Sequence, residues 1–189
     1  MSTKELVFLK ECLRVEVIGG KDKTFSWLRV FRHAWRQPHR RYLFWWRIAS
    51  YLHSTEHKVK KKIAYKINRK LIQKYNTEIV LGAQIGIGMK IAHYCGIVIT
   101  GYSKIGANLS IRHNTTIGIK NSNLPANEYS IVIGDNVSIG ANSCIISDQI
   151  SIGDNIKIGA MSFVNKDIAS NSIFYTEKTS YTQPLNKCA

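Results

Sequence analysis

The chain has 189 residues, a formal net charge of +15 at pH 7, 44% hydrophobic residues and only 3 prolines. That composition suits one folded domain with an extension and excludes a disordered or low-complexity chain. No stretch approaches the ~18 apolar residues that a membrane-spanning helix needs, and the acidic interruptions of the first residues are unlike a secretory signal.

The charge is unevenly placed. Residues 1–75 hold 19 Lys/Arg against 5 Asp/Glu, whereas residues 76–189 hold 8 against 7. The first segment, 1–75, reads as basic and α-helical. One helix is expected over residues 3–17, ending at Gly19 and Gly20. A second carries Trp27, Leu28, Phe31 and Trp35 on one face and stops before Pro38. RRYLFWWRIASYLH follows, dense in aromatics and arginine. The last helix places Val59, Ile63, Ile67 and Leu71 inward, with Lys60, Lys61, Lys62, Lys66, Arg69 and Lys70 outward. Two readings stand side by side: the aromatic faces pack as core, or they sit at lipid head-group depth above anionic lipid. Nucleic acid would need a readout element beyond charge, and the sequence offers none. His53 and His57 have i,i+4 spacing but no evident third ligand, so they read as surface residues and no metal is expected.

From Ile79 onward an aliphatic residue recurs every sixth position: Ile79, Ile85 and Ile91, then Ile99, Ile105, Ile111 and Ile117. Ile133 and Ile139 follow, and then, one residue out of phase, Ile146, Ile152, Ile158 and Val164. Leu109, Thr115, Val137, Ser143, Ile150, Ile156 and Ser162 fill the position four places on. Neither a helical period nor strand alternation produces this pattern. A triangular coil does, with a short strand on each face, the aliphatic inward, and Gly, Asn or Asp at corners that need a tight turn or positive φ. The fold expected is therefore mainly β, a parallel β-helix of hexapeptide repeats over residues 76–170, with 171–189 as a tail. The repeat breaks twice, at residues 93–96 and in the loop 119–130, and loops extruded from a rigid solenoid are where chemistry usually sits. Cys12, Cys95, Cys144 and Cys188 are scattered, which reads as reduced thiols in a cytoplasmic protein.

Residues 78–118, EIVLGAQIGIGMKIAHYCGIVITGYSKIGANLSIRHNTTIG, carry an acidic residue, an IGxG coil, HxxGIV and a coil ending in TxG. This resembles the serine acetyltransferase branch of the hexapeptide-repeat acyltransferases. The RHNTTIG ending and the WWR-containing lead-in look more like the acetyltransferases of capsule and lipopolysaccharide clusters. The resemblance implies a left-handed β-helix, a cytoplasmic homotrimer and acetyl-CoA bound between neighbouring prisms. His93 falls on the general base and Glu78 on the acid that orients it, a pair that lets a poorly nucleophilic alcohol attack a thioester. His113 falls where the family usually has glutamine, as substrate ligand, second acid/base or packing residue. Gly118, Ala141 and Ala160 fall on the pantetheine wall, and Lys157 is a candidate for CoA phosphate.

The sequence also departs from serine acetyltransferases. Ala92 replaces their aspartate, the loop 119–130 lacks their arginine–histidine pair, and IFYTEKTS replaces their GxPA segment. These departures favour a sugar hydroxyl of a capsule or O-antigen precursor as acceptor, with serine as the alternative. The lipid reading of the basic segment 1–75 adds a peripheral position at the inner membrane face to the cytoplasmic expectation. A non-catalytic trimeric scaffold is the reading of another class. A zinc-dependent carbonic anhydrase on the same prism would need three histidines, and residues 76–189 contain His93 and His113.

Overall fold

The computed structural model describes residues 3–182; Cys188 lies outside them. Helix α1 (Thr3–Cys12) runs into a π-helical segment, Leu13–Ile18, capped by Gly19 in the left-handed conformation (φ 88°). α2 (Trp27–Arg36), α3 (Pro38–His53) and α4 (Lys58–Tyr75) follow. Pro38 opens α3 at its first turn, where its missing N–H costs nothing. Asn76 ends α4 with φ 47° and turns the chain into the solenoid.

Among the described residues the solenoid begins with β1 (Thr77–Ile79), β2 (Gln84–Ile85), β3 (Lys90–Ala92), β4 (Ile97–Ile99), β5 (Ser103–Ile105), β6 (Ser110–Arg112) and β7 (Thr116–Gly118). It continues with β8 (Ser130–Ile133), β9 (Ser138–Ile139), β10 (Cys144–Ile146), β11 (Gln149–Ile152), β12 (Lys157–Ile158), β13 (Phe163–Val164) and β14 (Ile173–Phe174). They form three parallel sheets: A is β1-β4-β7-β10-β13, B is β2-β5-β8-β11, and C is β3-β6-β9-β12-β14. This is the left-handed parallel β-helix. β14 pairs with β12, which carries sheet C into the segment read from the sequence as a tail.

Ile79, Ile99, Ile117, Ile133, Ile139, Ile152, Ile158 and Val164 are buried on the prism axis, as the period requires. The phase shift falls later than the sequence count places it. Ile145, not Ile146, is the buried residue of β10 and pairs with Ile117. The extra residue sits in the following corner, where Asp148 Oδ1 accepts the amides of Lys120 (2.9 Å) and Asn121 (2.8 Å) at the root of the extruded loop. Along one corner column, Asn108, Asn136, Asn155 and Asn171 all have positive φ, a conformation asparagine tolerates. Their side-chain amides bond head to tail at 2.9–3.0 Å, so each corner satisfies the next. Gly88 ends this column, because a Cβ there would lie 2.5 Å from Asn108 Oδ1.

The helices close the open base of the prism, as terminal repeats of a solenoid must. Tyr42, Leu43, Trp46, Leu71 and Tyr75 join the same apolar cluster as Ile79, Ile85 and Ile97, and Trp46 Nε1 donates to the Ile79 carbonyl at 3.2 Å. On α2 the structure rejects the reading of the aromatic face as core, and on α4 the expected inward row is corrected. The buried residues of α2 are Val30 and Ala34, while Trp27, Leu28, Phe31 and Trp35 are exposed. The small residues let α2 lie close against the π-helical segment and α3, which turns the large ones outward. In α4, Ala64, Asn68, Leu71 and Tyr75 face inward and Ile67 is half-buried, but Val59 and Ile63 are exposed. They lie in its N-terminal half, outside the row of residues that meets the neighbouring elements.

Arg40 ties the π-helical segment to α3. Its Nη1 donates to the carbonyls of Val17 (2.8 Å) and Ile18 (3.2 Å) and meets His33 Nδ1 at 3.2 Å. A guanidinium only donates, so His33 must accept through a neutral ring. Burial, and then the Arg40 charge, hold His33 below its ordinary 6.5. The unfolded chain therefore binds this proton first. The stabilisation is complete above 6.5 and is lost as pH falls through the lowered folded value. Acidification from about pH 7 to about pH 5 should lower the hydrogen-exchange protection factors of the amides around residue 19, taken against the intrinsic rates at each pH, and His33→Gln, which keeps an acceptor, should blunt the change.

Candidate active site

The first break in the repeat builds a corner unlike the others. After β3 the chain takes His93, Tyr94, Cys95 and Gly96 before re-entering sheet A, with His93 at φ 61° and Gly96 at φ 66°. A left-handed histidine costs of order 1 kcal/mol or more and persists only where its surroundings impose it. Here the backbone is pinned on both sides: Gly96 N donates to the Asn76 carbonyl (2.7 Å) and Asn114 N to the Cys95 carbonyl (2.8 Å). Tyr94 is held from below. Its ring stacks on Tyr42 of α3 (6.2 Å, 11°) and meets Tyr75 of α4 edge-on (4.9 Å, 85°). The helices thus fix the corner that carries His93, which stands exposed beside a cleft of about 540 Å³ lined also by His39, Ile91 and Cys95.

Register places four of the residues singled out from the sequence on one prism edge. Ala92 pairs with Arg112, and Ile111 with Ile139 and Ile158 beyond it. Two residues past this line, at the corner between sheets C and A, come His93, His113, Ala141 and Ala160. The column is confirmed by Asn142 N donating to the His113 carbonyl (3.1 Å) and Met161 N to the Ala141 carbonyl (2.7 Å). The two imidazoles meet edge to face, 5.9 Å between centroids and 80° between planes. His113 is partly covered, and its Nδ1 is buried without a hydrogen-bond partner among the described residues. Beyond the histidines the edge carries only the methyl groups of Ala141 and Ala160.

The other residues lie elsewhere. Glu78 is exposed on the outer face of β1, in register with Val98 of the strand that follows the His93 corner. Among the described residues no hydrogen bond or ion pair joins it to His93. Gly118 ends β7 at the opposite edge of sheet A, where the extruded loop starts. Lys157 is exposed on sheet C, three residues before Ala160. The loop is ordered by its own bonds: Tyr129 Oη accepts from Leu124 N (3.0 Å) and donates to the Asn121 carbonyl (2.7 Å).

Sequence reasoning missed His39, which α3 brings to the same cleft. Burial and then Arg40 lower its pKa and favour a neutral ring. No spacing rule links residues 39 and 93, so only the docking of α3 on the prism could reveal it. Among the described residues no group of three or more His, Cys, Asp or Glu is placed to hold a metal ion.

No protein-family model matches the chain. In sequence it is 37% identical over 122 residues to serine acetyltransferase 3, mitochondrial, of Arabidopsis thaliana, which covers 65% of this chain and 30% of that protein. It is 34% identical over 87 residues to the serine acetyltransferase of Helicobacter pylori (strain ATCC 700392 / 26695), over 38% of this chain and 51% of that one. In structure it matches serine acetyltransferase of Neisseria gonorrhoeae in complex with serine, with a TM-score of 0.67 and 25% identity over 94% of this chain and 68% of that chain. Serine acetyltransferase isoform 3 of Entamoeba histolytica in complex with cysteine gives a TM-score of 0.70 at 22% identity, over 96% of this chain and 62% of that chain.

The chain is a hexapeptide-repeat β-helix protein similar to serine acetyltransferases. It spans about half or less of the length of these curated relatives. The narrower resemblance to capsule and lipopolysaccharide enzymes is not what these relatives carry, and with it the preference for a glycan acceptor loses its support. The plant relatives include mitochondrial and chloroplastic forms, so a cytoplasmic location stays an expectation.

Proposed function

We propose that this protein is an acetyl-CoA-dependent O-acetyltransferase whose acceptor is serine. The observation that carries the reading is the prism edge on which His93 and His113 stand together above Ala141 and Ala160. Neutral imidazole at His93 takes the proton of the acceptor hydroxyl as its oxygen attacks the thioester carbonyl. The carbon–sulfur bond then breaks, and the imidazolium returns its proton to the departing thiolate. The alanine wall leaves space for a slender pantetheine arm along the edge. His113 Nδ1, buried without a partner, would be satisfied by a polar group of the acceptor, since leaving it unmade costs about 1–3 kcal/mol. Glu78 serves as the orienting carboxylate, Gly118 as part of the wall and Lys157 as a phosphate ligand. These three roles rest on the resemblance.

A homotrimer belongs to this reading. The outer face of sheet A carries Val80, Val98, Thr116, Cys144 and Phe163 with Glu78 as its charged residue, whereas sheets B and C expose Lys104, Lys90, Arg112 and Lys157. The charge-poor face is the one suited to burial between copies. Three copies with sheet A toward the axis bring the histidine edge of each beside the loop edge of the next.

The test is a panel of acceptors with the full chain, read as thiol release from acetyl-CoA, with sedimentation of the same sample. Serine-dependent release by a trimer is the expected result. Release with glycan hydroxyls and none with serine would restore the acceptor that Ala92 favours. No release with any acceptor would favour a scaffold, and a stable active monomer would overturn the assembly.

A further inference from the structure

We infer that the outward face of α2, together with Trp45 of α3, docks the protein on a bilayer of anionic phospholipid. On α2, Leu28, Phe31 and Trp35 follow i, i+3, i+7 spacing and so share one face. They are 79%, 55% and 81% exposed. Trp45 extends the patch at 42% exposure, and the buried Phe44 forms its floor, with its ring centroid 5.6 Å from Phe31 and 4.9 Å from Trp45. These side chains line a concavity of about 680 Å³. Single exposed apolar residues need no explanation, but a contiguous aromatic patch on a folded chain marks a surface that something covers.

The charge around the patch selects the occupant. Arg32, Arg36 and Lys74 line the same concavity. Residues 23–55 contain seven Lys/Arg and no Asp or Glu. Among the described residues neither Arg32 nor Arg36 makes an ion pair. Arg41, by contrast, is committed, donating to the Ala34 and Trp35 carbonyls at the end of α2. A second copy placed face to face would set these cations against their own kind. A soluble polyanion would satisfy the cations but leave Leu28 and Trp35 in water. An anionic bilayer surface takes both, with indole, phenyl and leucyl groups at the acyl boundary and guanidinium groups among phosphates. The same helix keeps Val30 and Ala34 buried against the helical cluster, so docking requires no unfolding. The inference is independent of the acceptor and of catalysis.

The experiment is co-sedimentation of the full chain with phosphatidylcholine vesicles and with vesicles containing about one third phosphatidylserine, followed by indole fluorescence. Binding with a blue shift is expected on the anionic vesicles alone, and should weaken with salt. Leu28→Ser combined with Trp35→Ser should abolish it, and because both side chains are largely exposed, circular dichroism should be unchanged. Arg32→Gln combined with Arg36→Gln should lower partitioning about thirtyfold, since each juxtamembrane cation is worth roughly a factor of five. Three outcomes would overturn the proposal. The wild type could fail to bind anionic vesicles. Binding could be lost in the arginine variant but kept in the Leu28/Trp35 variant, which would mean charge attraction without docking. Or the Leu28/Trp35 variant could change the sedimenting species in the absence of lipid, which would assign the patch to a second copy.

Discussion

Replacing His93 by alanine is expected to lower turnover about 10²–10⁴-fold while leaving acetyl-CoA binding nearly intact, because a general base acts on the acceptor oxygen and not on the thioester. The corner geometry makes the substitution clean. His93 is exposed, so no core contact is lost, and the pins at Gly96 and Asn114 are backbone bonds that do not involve its ring. Single-turnover thiol release, with calorimetric binding of acetyl-CoA alongside, separates the two effects. Glu78→Gln should cost less, since the amide can still accept from an imidazole. His113→Ala is the informative comparison. Loss expressed mainly as a raised acceptor KM marks His113 as a substrate ligand. Abolished turnover in His113→Ala beside a nearly active His93→Ala would reverse the assignment along the edge. Full activity of both variants would remove the mechanism.

The edge shows how far a sequence reaches. His93 and His113 are twenty residues apart, and only the six-residue period makes them neighbours. That period was legible because each aliphatic has one place to go, inside a prism too narrow for an alternative. Legibility failed where two residues compete for one place. Ile145 and Ile146 are both isoleucine, and counting back from Ile152 selects Ile146. Pairing with Ile117 selects Ile145, and the spare residue goes to the corner where Asp148 holds the loop. It failed again on α2, where spacing groups Trp27, Phe31 and Trp35 correctly but cannot say which face of the helix is covered. The cover is a tertiary fact, supplied by the π-helical segment and α3. The aromatic brace of Tyr42, Tyr75 and Tyr94 joins three elements by packing and leaves no periodic trace.

Arg47→Met is expected to destabilise the helical segment strongly, costing about 3–5 kcal/mol. Arg47 and Glu16 are both buried, and they form a two-pronged pair at 2.9 and 2.6 Å. Burial opposes the charge on Arg47, but the facing carboxylate outweighs it and leaves its pKa raised. The remaining donors are used on the prism: Nη1 on the Ile85 carbonyl (2.8 Å) and Nη2 on that of Gly86 (2.7 Å). Glu16 in turn accepts the amides of Gly88 and Met89, both at 3.0 Å. One ion pair therefore fastens the π-helical segment, α3 and the first coil. Beside it Cys12 is buried too, and burial pushes its thiol up to about 12, so it stays un-ionised. Methionine fills much of the space of arginine but leaves a carboxylate in the interior with two amides for company. The double variant Glu16→Gln, Arg47→Met removes that stranded charge and keeps an acceptor for the amides, so it should be more stable than Arg47→Met alone. Urea unfolding of the four proteins closes a cycle that isolates the coupling. A single Arg47→Met within about 0.5 kcal/mol of the parent would show that the pair contributes nothing. If the loss is as large as expected, it takes a sizeable part of the ~5–15 kcal/mol that stabilises a domain. It also reaches the His93 corner, because α3, which Arg47 anchors, is the helix whose Tyr42 braces Tyr94 beside His93.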